Sequence, residues 1–157
     1  MTIRTATVDD VPAILAGIRA LADYEKLSDA VVADEDALAA TLFGPRPCAE
    51  VLLAEDDGAV AGFALFFANY STFLARPGLY LEDLFVHPEY RGRGHGLALM
   101  REIARIARQR GCGRFEWSVL DWNAPAIDFY RAMGAQPMSD WTVFRLDGEA
   151  LEALAGS

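Results

Sequence analysis

The stretch from Tyr80 to Arg101, YLEDLFVHPEYRGRGHGLALMR, constrains this chain more than any other. The run from Tyr80 to Val86 reads as a strand, and His87-Pro88 breaks it because proline cannot donate to a sheet ladder. Arg91-Gly92-Arg93-Gly94-His95-Gly96 then turns into a segment with helical spacing. Glycines let a backbone close around a phosphate, and the free N–H groups of a helix start point at it. Arg91, Arg93 and His95 stand in this turn, and no carboxylate lies between Glu89 and Glu102. In a chain of formal net charge −9 that is a local reversal of sign. Strand, glycine turn and helix start together predict a diphosphate grip.

At 157 residues, with 53% hydrophobic and 24% charged residues, the chain is predicted to form one soluble domain spanning residues 1–157. The N-terminus lacks the basic start and apolar run of a signal peptide, and no segment reaches membrane-spanning length, so the expected location is cytoplasmic. The acidic balance argues against a nucleic-acid or anionic-membrane partner and is compatible with a cationic ligand. Cys48 and Cys112 lack metal-ligand spacing, so two reduced thiols are expected, with no metal and no disulfide.

Taken in order, Thr2 to Thr7 reads as a strand, and Pro12 to Tyr24 as a helix carrying Ile14, Leu15, Ile18 and Leu21 on one stripe. A short helix runs from about Asp34 to Phe43, and a hairpin follows, Glu50 to Glu55 and Ala59 to Ala68 around Asp56-Asp57-Gly58. A loop from Asn69 to Pro77 leads to the Tyr80 strand, and a helix spans Gly94 to Arg110. Arg114 to Leu120 is predicted as a strand, Ala124 to Met133 as a helix with Asn123 as its N-cap and Gly134 as its C-terminal cap. A strand at Trp141 to Leu146 and a helix at Glu149 to Ala155 close the chain. The order predicts an α/β (α+β) fold, a mixed and mostly antiparallel sheet flanked by helices.

Arg91-x-x-Gly94-x-Gly96 between a strand and a helix resembles the pyrophosphate signature of the GNAT superfamily of acetyl-CoA-dependent N-acetyltransferases. Asn123-Ala124-Pro125-Ala126-Ile127-Asp128-Phe129-Tyr130-Arg131-Ala132-Met133-Gly134 looks like that family's C-terminal signature. More narrowly, YLEDLFVHPEYRGRG, EWSVLDWNAPAIDFY and ADYEK are similar to diamine (spermidine/spermine) and thialysine N-acetyltransferases, over about Ile3 to Leu151. The resemblance implies the GNAT fold, acetyl-CoA as co-substrate, a small-molecule amine as acceptor and a homodimer.

It also implies roles. The backbone of Leu84, Phe85 and Val86 would pair with the pantetheine arm like an added strand, and Gly92 to Leu97, flanked by Arg91, would bind the pyrophosphate. A bulge in the central strand would free the N–H of Phe85 or Val86 to polarise the thioester carbonyl. Asn123, Ala124, Pro125 and Ala126 would line the CoA arm, although capping alone explains Asn123. An alkylammonium costs roughly 4–5 kcal/mol to deprotonate at neutral pH. Glu82 is the candidate base, with substrate attraction as its other role, and Tyr130 the candidate acid. Period-2 alternation places Glu82 with Leu84 and Asp83 with Phe85. Tyr24, Glu25, Glu82 and Asp83 would face the amine, through charge and cation–π contact, while a Tyr-Glu pair at a helix end is also ordinary solvated surface. His87 and His95 read as bystanders to the chemistry, His95 within the phosphate turn.

Ala135 to Asp140 carries one carboxylate, Asp140, where the diamine group carries more, and Lys26 adjoins Glu25. A diamine or polyamine is the leading expected acceptor, and a lysine-like amino acid, an amine antibiotic or a protein amine is the alternative within the same fold. The expected reaction is direct attack in a ternary complex. An acyl-CoA sensor without turnover is the alternative of a different class, and a sensor has no need of Tyr130 or Glu82.

Overall fold

Apolar alternation in the first two-thirds of the chain builds a sheet, in a computed structural model that describes residues 1–156. The chain divides into two units, Met1–Ser118 and Val119–Ser157. The first holds β1 (Thr2–Thr5), α1 (Val11–Tyr24), α2 (Glu35–Phe43), β2 (Glu50–Asp56), β3 (Ala59–Ser71), β4 (Arg76–Val86), α3 (His95–Gln109) and β5 (Phe115–Trp117). Among the described residues these strands form one sheet in the order β1-β2-β3-β4-β5. β1 to β4 pair antiparallel and β5 joins β4 in parallel. The mixed, mostly antiparallel sheet expected from the sequence is the one observed.

Register decides what each face carries, because cross-strand partners share a face. Phe63 pairs with Phe85, and both belong to a core cluster with Val11, Ile14 and Leu15 of α1 and Leu38 and Leu42 of α2. Alternate residues such as Phe66 and Leu81 pair on the opposite face. There α3 packs on β2, β3 and β4 and buries Leu99, Met100 and Ile103. Burying each such large side chain is worth about 1.5–3 kcal/mol. Two helix layers thus clamp the sheet from both sides.

The second unit contains α4 (Ala124–Ala132) and α5 (Gly148–Ala155). The strand expected at Trp141 to Leu146 is absent among the described residues, and Trp141 N–H instead turns back to the Met138 carbonyl at 3.2 Å. Its alternating residues favour an extended chain, but a strand is made by its ladder, and the described residues of the second unit contain no other strand to pair with it. β5 is likewise shorter than the expected Arg114 to Leu120. Conversely, the expected loop from Asn69 to Pro77 is mostly ladder, with Asn69, Tyr70 and Ser71 paired to Gly78, Pro77 and Arg76. Pairing carried over from the apolar part of the hairpin outweighs the weak strand propensity of these residues.

Three helices end in the same way. The residue after each C-cap adopts positive φ, and its N–H and the next N–H fold back onto the last turn. At α3 this residue is Gly111 (φ 72°), with Cys112 N–H on the Ala107 carbonyl at 2.9 Å. At α4 it is Gly134 (φ 95°), with Ala135 N–H on the Tyr130 carbonyl at 3.1 Å. At α1 it is Lys26 (φ 62°), with Leu27 N–H on the Ala22 carbonyl at 2.8 Å. A side chain at such a φ costs on the order of 1–2 kcal/mol. Lys26→Gly is therefore expected to stabilise the protein by about 1 kcal/mol, or roughly 2–4 °C in Tm. Thermal unfolding checks this, and an unchanged or lowered Tm contradicts it.

Candidate functional site

One residue too many on β4 creates the site. Phe66 pairs with Leu81 and Leu65 pairs with Asp83, so Glu82 is an extra residue with no partner on β3. Without this bulge Asp83 would share the apolar α3 face with Leu81, where an ionised carboxylate is costly. With it, Asp83 moves to the face of Leu65, Phe63 and Phe85, the α1 side. The ladder is regular from Asp83 to Val86, so the bulge lies three to four residues before Phe85 and Val86, the residues expected from the resemblance to supply the freed N–H.

The bulge gathers acid. Glu82 is exposed, while Asp83 and Glu25, just beyond the end of α1, are partly buried. Burial, then the nearby charges of Glu82 and Glu25, push the Asp83 carboxyl up to about 6. Burial alone raises Glu25. Of the residues expected to face an amine, Glu25, Glu82 and Asp83 are thus electrostatically coupled in one place. Tyr24 precedes Glu25 in sequence, and its ring meets another cation: the Arg91 guanidinium sits 5.3 Å from the Tyr24 ring and 5.3 Å from the Phe85 ring.

β4 has an open edge beyond the bulge. β5 pairs with Leu79, Tyr80 and Leu81 only, so from Glu82 to Val86 no described strand neighbours β4 on that side. An extended ligand arm can add there by backbone hydrogen bonds. The Val86 carbonyl accepts from Arg91 Nε at 2.9 Å, which ties the strand end to the turn that follows.

That turn carries Gly92 at φ 79° and Gly94 at φ 86°, with no heavy atom within 4 Å of where a Cβ would stand on either. Gly94 is the N-cap of α3, so the helix begins at His95, one residue later than expected from the sequence. Ala98 N–H donates to the Gly94 carbonyl at 3.0 Å, and the N–H groups of His95, Gly96 and Leu97 precede the first helical bond. Positive-φ glycines without side chains around a helix start of 15 residues fit a diphosphate. Arg93 and His95 both bond Asp56, at 3.2 and 3.0 Å. They hold its carboxyl below the usual carboxylate range, His95 contributing most.

Sequence reasoning read Asp56 as part of a turn and His95 as a bystander. The partners lie 39 residues apart, and no local signal connects them. The signal that was available is the pair of changes at one site, a histidine opening a helix and an acid closing a strand. The His87 ring meets that of Phe85 edge-on at 5.3 Å.

In the second unit, Asn123 caps α4, its Oδ1 accepting from Ala126 N–H at 3.4 Å, with Pro125 in the first turn. Ala124 opens the helix, and Tyr130 lies on it with its ring 5.5 Å from that of Phe129. A cavity of about 290 Å³ beside β1, β2 and α3 involves none of the residues expected at the site. Its charges are paired, Arg110 with Glu50 at 2.7 Å, Arg105 with Glu102, and Arg4 with Asp10 and Glu55 outside the lining.

Comparison with known proteins supplies the chemistry to set beside this geometry. Residues 18–135 match the sequence profile described as the acetyltransferase (GNAT) family. The chain is 44% identical to a thialysine N-epsilon-acetyltransferase of Bos taurus over 98% of this chain and 96% of that protein. It is 38% identical to an L-ornithine N5-acetyltransferase of Arabidopsis thaliana, over 97% and 86%. An integron cassette protein from the mobile metagenome of V. cholerae superposes with a TM-score of 0.83 at 28% identity, covering 99% of this chain and 98% of that one.

The Asp83 carboxyl gives a stability test. Its folded value, about 6, lies above the ordinary 3.8, so the folded state is favoured while the acid is protonated. As pH rises through this window the unfolded chain ionises first, and up to about 3 kcal/mol of stability is lost. Asp83→Asn escapes that loss. Its stability relative to the parent is expected to be higher at pH 7 than at pH 4 by about 1–3 kcal/mol in urea unfolding. A difference that does not change with pH contradicts the assignment.

Proposed function

We propose, from the premise that the chain belongs to the GNAT family of acetyltransferases, that it acetylates the terminal amine of a small basic amino acid such as thialysine, lysine or ornithine. The observation that carries this reading is the carboxylate cluster of Glu25, Glu82 and Asp83 at the bulge, which suits an alkylammonium by charge. The relatives named for thialysine and ornithine support it, since both amino acids end in a primary amine on a short alkyl chain. A diamine or polyamine is the second reading, favoured by the Tyr80-Leu81-Glu82-Asp83 and Tyr24-Glu25 resemblances. A homodimer remains part of the proposal by resemblance, and a cytoplasmic location remains part of it as expected from the sequence.

Acetyl-CoA, the co-substrate of the family, supplies an acetyl group activated as a thioester. The backbone of Leu84 to Val86 on the open edge of β4 would hold its pantetheine arm, and Gly92 to Leu97 its pyrophosphate. Asn123 to Ala126 belong to this role by motif. The chain's own contribution to the acceptor begins with attraction. Glu25, Glu82 and Asp83 draw in the ammonium, and its proton must leave before nitrogen can attack. Asp83 accepts that proton more readily than an ordinary carboxylate, because burial and two acidic neighbours favour its protonated form. Glu82, exposed on the bulge, is then mainly a binding group, or a relay through water. Tyr130 holds at Oη the proton that the leaving thiol gains, a transfer from a group of pKa near 10 to one near 8.5 that is slightly uphill.

An acceptor panel with thiol release as the readout tests the reaction. Thialysine, lysine and ornithine are expected to give the highest kcat/KM. Higher values for putrescine and spermidine favour the second reading, and no thiol release with any amine overturns both. Two variants test the roles. Asp83→Asn is expected to lower kcat at least tenfold, on the scale of general-base catalysis, and Glu82→Gln mainly to raise the acceptor KM; the reverse pattern returns the base role to Glu82. Tyr130→Phe is expected to lower kcat about 10- to 1,000-fold with little change in the KM for acetyl-CoA, and unchanged turnover removes it from the mechanism.

A further inference from the structure

We propose that Asp56 is a positioning residue for the phosphate-binding turn, acting through His95 and Arg93 to fix the first turn of α3 on the sheet. The proposal rests on reading Gly92 to Leu97 as the pyrophosphate site, and it adds a residue from a different element that touches no ligand.

The turn has little packing of its own. Gly92 and Gly94 carry no side chains and have open space where one would be. Left to itself, such a segment samples many conformations, and binding would have to order it at a cost in free energy. His95 supplies an anchor. It is the first residue of α3, and its side chain is 1% exposed, which is unusual for a histidine at the start of a surface helix. Tyr90 meets the ring edge-on at 6.3 Å. Nε2 lies 3.0 Å from Asp56 Oδ2, and since a carboxylate oxygen accepts, Nε2 carries the hydrogen. The other ring nitrogen, Nδ1, is buried with no partner.

A buried nitrogen without a partner is unfavourable by about 1–3 kcal/mol, so an apolar side chain would fill this position at lower cost. The Nε2 bond to Asp56 is what a histidine offers there and an apolar residue does not. The same Oδ2 receives Arg93 Nη1 at 3.2 Å, and the Arg93 guanidinium lies 5.6 Å from the Tyr90 ring centroid. One carboxylate oxygen therefore fixes two residues of the turn, on either side of Gly94.

Asp56 is itself well held. It is the last residue of β2, paired in the ladder with Ala59, and the connecting residues Asp57 and Gly58 have φ of 50° and 80°. Positive φ at both residues of a two-residue loop is the tight hairpin that matches strand twist. The carboxylate thus projects from a rigid hairpin end. Through it the glycine turn is tied to β2, in addition to its tie to β4 through Arg91 and Val86.

The test compares Asp56→Asn, His95→Leu and His95→Gln with the parent. Isothermal titration of CoA reads the affinity, and steady-state kinetics separate KM from kcat. Heteronuclear NOEs of Gly92 to His95 in the free protein read the order of the turn. Asp56→Asn and His95→Leu are expected to weaken CoA binding and raise the KM for acetyl-CoA about tenfold, with kcat and the acceptor KM within twofold. They are also expected to lower the NOEs of the turn. His95→Gln, which keeps an N–H near the ε2 position, is expected to recover part of the affinity. Gly92→Asp, which puts a negative charge in the turn, is the control for the underlying reading. If Gly92→Asp weakens CoA binding while Asp56→Asn changes neither affinity nor NOEs, the positioning role is overturned and the pyrophosphate site stands. If Gly92→Asp also leaves affinity unchanged, the reading of the turn itself fails.

Discussion

A single extra residue in β4 sets the arrangement of everything around it. Up to Leu81 the strand is a central one, paired with β3 on one side and β5 on the other. At Glu82 the β3 ladder skips a residue, and the β5 ladder has already ended. Two consequences follow from the same position. The faces exchange, so that a carboxylate otherwise directed at the apolar α3 layer turns toward the end of α1. The β5 ladder ends at Leu81, so that from Glu82 to Val86 no described strand pairs with that edge of β4. The acceptor and cofactor roles proposed above thereby fall on the two sides of one short stretch, Glu82 to Val86. The phosphate turn begins five residues after it.

Charge follows the same division. Burial and the charges of Glu82 and Glu25 raise the affinity of Asp83 for a proton on the α1 side, while Arg91 and Arg93 stand in the turn beyond. Arg91 lies between them, over the rings of Tyr24 and Phe85 and bonded to the Val86 carbonyl. It separates an acidic patch that suits a cation from a basic turn that suits an anion. Asp56 ties Arg93 and His95 of this turn to the end of β2, in a chain of net charge −9.

Most of the fold was legible because its signals are local. Helical stripes, the Asn123 cap and the strand-glycine-helix sequence at Tyr80 to Arg101 each depend on residues a few positions apart. The glycine after α4 marked its end for the same reason. What stayed hidden depends on partners distant in sequence. Alternation along β4 gave no sign of the skip at Glu82, because a bulge is a mismatch between two strands and cannot be seen in one. Trp141 to Leu146 has the pattern of a strand but lacks a ladder in its own unit. The His95 bond to Asp56 spans 39 residues. Lys26 shows the opposite case, a helix end with the backbone geometry of glycine and a residue that does not advertise it.

The central claim is that the two sides of Glu82 serve different ligands. Amide chemical shifts recorded while CoA and a basic amino acid are titrated separately test it most directly. The account predicts that CoA moves the signals of Leu84 to Val86 and Gly92 to Leu97, and that the amino acid moves those of Glu25, Glu82 and Asp83. If CoA leaves β4 and the α3 start unmoved, or if the amino acid perturbs none of the three acidic residues, the account is wrong.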